Sequence, residues 1–225
     1  MFPLKSDISI RRFPTVVLAL IAANISAFVW QMSVGLPASI EVFGTIPRAI
    51  GLGATSSAAF PPTLTLLTAM FLHGSPWHLG SNLWFLWIFG AGIEDRLGHA
   101  NFLIFYLLSG LIAGLAQVLA DPTSPLPIVG ASGAIAGVLG AYFLLFPGSR
   151  ILTLLFPPFS FLLLRLFDFL YLPAIVFLGV WFLLQIVSLP NEYASGVAFA
   201  AHVGGFVAGL VLVRLFAAGR QRQAA

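Results

Sequence analysis

The sequence has no cysteine. Disulfides, thiolate metal sites and a cysteine nucleophile are excluded together. Charge is scarce as well. Asp, Glu, Lys and Arg make up 8% of the 225 residues, where a soluble globular domain carries about 25%. With 60% of its residues hydrophobic, the chain cannot cover a water-facing surface. A soluble monomer is excluded on that ground, and disorder on the same apolar content. Acids are rarer than bases, seven against ten, for a net charge of +3. That balance reflects few acids rather than a basic patch, so no nucleic-acid partner is expected. No internal repeat or low-complexity tract is visible, which leaves an inverted-repeat transporter without support.

Long apolar runs are what the sequence has instead. Six are expected to be membrane spans: Phe13–Gln31, His78–Leu97, Phe102–Ala120, Ala131–Phe146, Leu172–Leu189 and Val197–Phe216. A helix needs about 20 residues to cross hydrocarbon about 30 Å thick. The fourth run is short and reaches only about 24 Å, so one of its ends starts below the membrane surface. With the N-terminus cytoplasmic, Arg48 is the one basic residue of the ten that falls outside. The positive-inside rule therefore puts both termini in the cytoplasm. A basic stretch before the first run also suits a signal peptide, but the run is long for one. Leu64–Leu72 is too short to span. Ile151–Leu170, interrupted by Pro157, Pro158, Arg165 and Asp168, reads as an interfacial segment with snorkelling charge. Ser33–Pro62 reads as a long outer loop. The expectation is an all-α, six-transmembrane-helix bundle, one membrane domain over residues 1–225, with the lipid bilayer as its surroundings.

Polar groups inside hydrocarbon are costly, so each is a functional candidate. The second span opens with His78 and Asn82, four apart and so on one helical face. The fourth opens with Ser132, and the sixth carries His202. Spans two, four and six run the same way, so these groups share one side of the membrane and could converge on a cavity open to the outer face. Gly133 with Gly137, just after Ser132, and Gly205 with Gly209, just after His202, are pairs that let helix backbones approach closely. Such an approach would bring Ser132 within hydrogen-bond reach of His202. Each residue also has a plainer role. A membrane serine often bonds its own backbone, and His78 and Asn82 could simply join helices. The combination points further than its parts, to a Ser-His dyad. No acid lies in the sixth span to make a triad. His73, His78 and His202 lack a nearby carboxylate and the spacing of a zinc site, so no metal or other cofactor is expected. Glu94, Asp95 and Arg96 read as an ion-pair and capping cluster, and Asp121 and Glu192 as solvated span ends.

From His73 to Gly209 the sequence resembles the rhomboid family of intramembrane serine proteases. Gly130-Ala131-Ser132-Gly133 is similar to the family's Gly-x-Ser-Gly motif, and Ala201-His202-Val203-Gly204-Gly205 to its Ala-His-x-x-Gly motif. His78 to Asn82 resembles its His-x-x-x-Asn motif, and the run Gly90 to Gly98 the structural end of that helix. The resemblance implies that Ser132 is the nucleophile and His202 the base. It implies that His78, Asn82 and the Ser132 backbone bind the oxyanion. It further implies a transmembrane protein as substrate, entering sideways past a gate formed by span two, span five or the segment before it. Two features depart from the family. Many members carry an aromatic residue four positions after the serine, packed on the histidine ring, where this chain has Ala136; another aromatic would have to substitute. The Trp-Arg pair of some members' first outer loop is absent from Ser33–Pro62. A channel or transporter, and a catalytically dead homologue, are the competing classes. A dead homologue should have lost Ser132 or His202, and both are present. A prokaryotic plasma membrane is the expected location.

Overall fold

A computed structural model of the chain describes residues 1–52, 60–157 and 168–223, with side chains of the last helix followed to Phe216. Eleven α-helices are found among the described residues: α1 Thr15–Val34, α2 Leu36–Phe43, α3 Pro47–Gly51, α4 Thr65–Thr68, α5 Pro76–Phe85, α6 Ala91–Leu97, α7 His99–Ala120, α8 Ser132–Leu145, α9 Ala174–Ser188, α10 Glu192–Ser195 and α11 Phe199–Gln223. Helices occupy all six stretches expected to span. Among the described residues, four segments are long and apolar enough to cross a membrane: Thr15–Val34, His99–Ala120, Ala174–Ser195 and Phe199–Phe216. The second expected span is α5 and α6 joined by a π-helical turn, Leu86–Gly90. The fourth is α8, whose 14 residues reach only about 21 Å.

α8 is the hub. Every residue from Gly133 to Tyr142 is buried, between α7, α11 and α9. Its sequence has no polar face because it meets protein all round. At its far end, the Tyr142 hydroxyl is shared between Ser6 at 2.5 Å and Ser149 at 3.1 Å.

Those serines flank a feature the all-α expectation did not contain. β1 (Phe2–Ser6), β2 (Arg150–Leu155) and β3 (Asp168–Pro173) form an antiparallel sheet in the order β1-β2-β3. Arg150 is opposite Pro173 and Leu155 opposite Asp168. The stretch Ile151–Leu170, read as an interfacial segment, is strand at both ends; Pro158 and Arg165 lie outside the described residues. Ile151, Thr153 and Leu155 face inward, a period of two. Thr153 among the inward set is polar, and Leu152 and Leu154 between them are apolar, so hydropathy hid the alternation.

Two other expectations need correction. Ser33–Pro62 is not plain loop: α2 and α3 lie within it, and Thr45 bridges to Ile128. Residues 53–59 of that stretch lie outside the described residues. Glu192 is not a solvated span end, as described below. The Glu94 cluster does cap a helix, but the helix is α1. Both Glu94 carboxylate oxygens accept backbone N–H groups, from Val16 and Val17 at 2.8 Å each. His99 Nδ1–H donates to the same carboxylate at 2.5 Å. A carboxylate at a helix N-terminus meets unpaired donors and the positive end of the dipole, which is how Glu94 is buried to 1% exposure.

Candidate active site

The site begins at a turn that only glycine fits. Gly130 has φ +124°, a conformation L side chains avoid. Its N–H donates to the Ala69 carbonyl at 2.8 Å. A Cβ there would stand 2.7 Å from His78 Nε2 and 3.6 Å from Asn82 Nδ2. The bare backbone ahead of Ser132 is thus pressed on the polar face of α5. Ser75 caps α5 by accepting the His78 N–H at 3.1 Å. Gly74 N–H donates to His78 Nδ1 at 3.5 Å, which puts the proton of the neutral ring on Nε2, facing Gly130. Asn82 Nδ2 is buried and has no partner among the described residues.

α8 and α11 are in backbone contact. A Cβ at Gly205 would overlap the Gly133 carbonyl, and one at Gly209 the Gly137 carbonyl. The pairing 133 with 205 and 137 with 209 runs in one direction, so the helices are parallel, as the order of the spans predicted, and close, as the glycine spacing predicted. Ser109 and Ala113 of α7 fill the other side of Gly137 and Gly133. At the head of this seam, Ser132 Oγ lies 2.9 Å from His202 Nε2.

The first turn of α11 is tied to two neighbours. Glu192 accepts the Ala200 N–H at 2.5 Å, and Gln117 Oε1 accepts the Ala201 N–H at 2.8 Å. Gln117 Nε2–H in turn donates to Glu192 at 2.9 Å. Beside this cap, Tyr193 donates to Asp121. Hydrogen bonds from Tyr193 and then Thr123 hold the Asp121 carboxyl below its ordinary value.

The ring of His202 has further neighbours. Its Nδ1 lies 2.8 Å from Gln185 Oε1. The Trp181 ring stands 5.9 Å away at 35°, and Phe199 6.2 Å away at 85°. Ala136, where an aromatic was looked for, is fully buried; the aromatics beside the histidine are Trp181 of α9 and Phe199 of α11 instead. Gln117, Gln185 and Trp181 were not singled out from sequence, and Glu192 was read only as a solvated span end. The glutamines carried a signal all the same, being polar groups within apolar spans.

Ser132, His202, His78 and Asn82 all line one cavity of about 790 Å³. Trp77 and Tyr193, 78% and 63% exposed, stand at it too. His73 is buried edge-on against His78, 5.0 Å between rings. The arrangement joins a hydroxyl to a histidine, beside a buried amide donor and the N-terminus of α8. That is the equipment for acyl transfer: nucleophile, base and donors for an oxyanion.

Residues 62–219 match the sequence profile of the family described as Rhomboid domain. Among curated proteins, the mitochondrial Rhomboid protein 1 of Saccharomyces cerevisiae is 38% identical over 98 residues, 42% of this chain and 28% of that protein. The human mitochondrial presenilin-associated rhomboid-like protein is 30% identical over 148 residues, 64% of this chain and 36% of that protein. Rhomboid protease GluP of Bacillus subtilis is 42% identical over 76 residues, 34% of this chain and 14% of that protein. The chain thus matches about a third or less of the length of these relatives. Two of the three are named mitochondrial, which leaves the expected prokaryotic plasma membrane without support from them.

Proposed function

The chain belongs to the rhomboid family of membrane proteins, and on that premise we propose that it is an intramembrane serine protease. It hydrolyses peptide bonds in or near the membrane spans of other proteins. The observation that carries this reading is the 2.9 Å contact of Ser132 Oγ with His202 Nε2 inside a cavity that also holds an unpartnered amide donor. In this reading all six apolar helices cross the bilayer as one domain, residues 1–225, with both termini cytoplasmic. The cavity then opens toward the outer face, and short α8 sets Ser132 below the surface.

Ser132 Oγ attacks the scissile carbonyl carbon as its proton passes to His202 Nε2. The carbonyl oxygen becomes an oxyanion, met by Asn82 Nδ2–H, His78 Nε2–H and the Ser132 N–H. The α8 N-terminus adds its partial positive charge. Collapse of the tetrahedral species breaks the C–N bond, and His202 returns the proton to the leaving amine. Water, deprotonated by His202, then hydrolyses the acyl-enzyme and restores Ser132. A helical substrate hides its carbonyls in i→i−4 bonds, so the cleaved segment must unwind to enter.

The test is cleavage of a single-span reporter by purified protein in detergent. Wild type is expected to cleave and to take a serine-reactive fluorophosphonate; Ser132→Ala is expected to do neither. His202→Ala should lose cleavage as well. Wild-type cleavage by Ser132→Ala would overturn the mechanism.

A further inference from the structure

His202 is held by a residue outside the dyad. Gln185 sits on α9, 8% exposed. Its Nε2–H donates to the Trp181 carbonyl one turn back in the same helix, at 3.1 Å. A carbonyl can only accept, so this bond fixes which end of the amide is nitrogen. The other end, Oε1, faces His202 Nδ1 at 2.8 Å. An amide oxygen can only accept too, so Nδ1 must carry the ring proton. In a neutral imidazole Nε2 is then bare, and Nε2 faces Ser132 Oγ. The chain of bonds runs Ser132 Oγ–H to Nε2, then Nδ1–H to Gln185, then Gln185 N–H to the α9 backbone. Reversing any link leaves two acceptors or two donors face to face.

We propose that Gln185 is a positioning residue for His202, holding the imidazole in the tautomer that lets Nε2 receive the Ser132 proton. Trp181, one turn away on the same face, limits the tilt of the ring. The inference rests on the Ser132–His202 reading above. Gln185 is neutral, so it orients the ring without adding the full charge of a carboxylate.

Two measurements separate this inference from that reading. The first is the pH profile of reporter cleavage for wild type, Gln185→Leu and Gln185→Glu. Gln185→Leu is expected to lower kcat by at least about tenfold, within the ~10²–10⁴-fold that a general base supplies, with KM little changed. Gln185→Glu should restore turnover and move the acidic limb up by about one pH unit, because a carboxylate stabilises the imidazolium. His78, Asp121, Glu192 and Tyr193, the other titratable groups lining the cavity, are the same in all three proteins. A packing residue would not produce that shift. The second is the ¹⁵N spectrum of the four histidines, with His202 identified by its loss in His202→Ala. Wild type should carry the proton on Nδ1, and Gln185→Leu should lose that preference, whether or not the reporter is cut. Ser132-dependent cleavage with a normal Gln185→Leu and an unmoved Gln185→Glu limb would overturn the inference alone. So would a ring protonated on Nε2 in the wild type.

Discussion

On the α8 side of His202 the contact is backbone against backbone, through Gly133, Gly137, Gly205 and Gly209. On the α9 side it is made by two long side chains, Trp181 and Gln185, reaching from a segment only 22% buried. The seam fixes how far the first turn of α11 lies from the first turn of α8, and so the separation of the histidine and serine backbones. It leaves rotation of the imidazole open, since glycines offer nothing to grip a ring. The side chains of α9 supply that second constraint. Translation is set by backbone-to-backbone packing at the glycines, and ring orientation by the least buried of the four long apolar segments among the described residues.

The comparison breaks most severely at the seam. Gly209→Leu would drive a side chain into the Gly137 carbonyl. Overpacking typically costs about 1–3 kcal/mol, and a rigid backbone as the obstacle puts this variant at or beyond the upper end. Thermal unfolding in detergent should show a large loss of stability, and cleavage should fall with it. Gly148→Ala, with no atom near its added Cβ, is the matched control and should melt as wild type.

Asn82→Ala touches neither side of His202. It removes one oxyanion donor, for which about 2.7–4 kcal/mol of barrier is typical. Steady-state kinetics should show kcat down by about 10²–10³-fold at unchanged melting temperature. An equal fall in stability would instead mark Asn82 as a joint between helices.

Trp181→Ala tests the α9 side with the smallest expected effect. Aromatic contacts of this kind are worth about 0.5–1.5 kcal/mol, so kcat should drop by about two- to tenfold, and less in Trp181→Phe. A drop as large as that of Gln185→Leu would mean that the indole, not the amide, sets the ring.

The meeting of Ser132, His202, His78 and Asn82 at one cavity was legible in the residues because their spacing is helical spacing. His78 and Asn82 had to share a face, and the two glycine pairs had to mark a seam, whatever surrounded them. The sheet was not legible: β2 alternates inward and outward, but polar Thr153 faces inward while apolar Leu152 and Leu154 face outward. The Glu94 cluster read correctly as a cap, yet nothing local said that the capped helix was α1 rather than its own. Glu192, read as solvated, became part of the α11 cap because α10 turns it back onto Gln117 and Ala200. Ala136 pointed to a missing aromatic. Where a substitute would come from depended on a helix about 45 residues further on.

Membrane insertion follows from composition alone, since a chain with so little charge has no other way to hide its apolar surface. The expectation that Ser132 and His202 meet beside His78 and Asn82 follows from residue types at fixed intervals. Which proton sits on which nitrogen of His202 is of another kind. It depends on the depth and rotation of α9, and these are settled by side-chain packing between segments far apart in the chain.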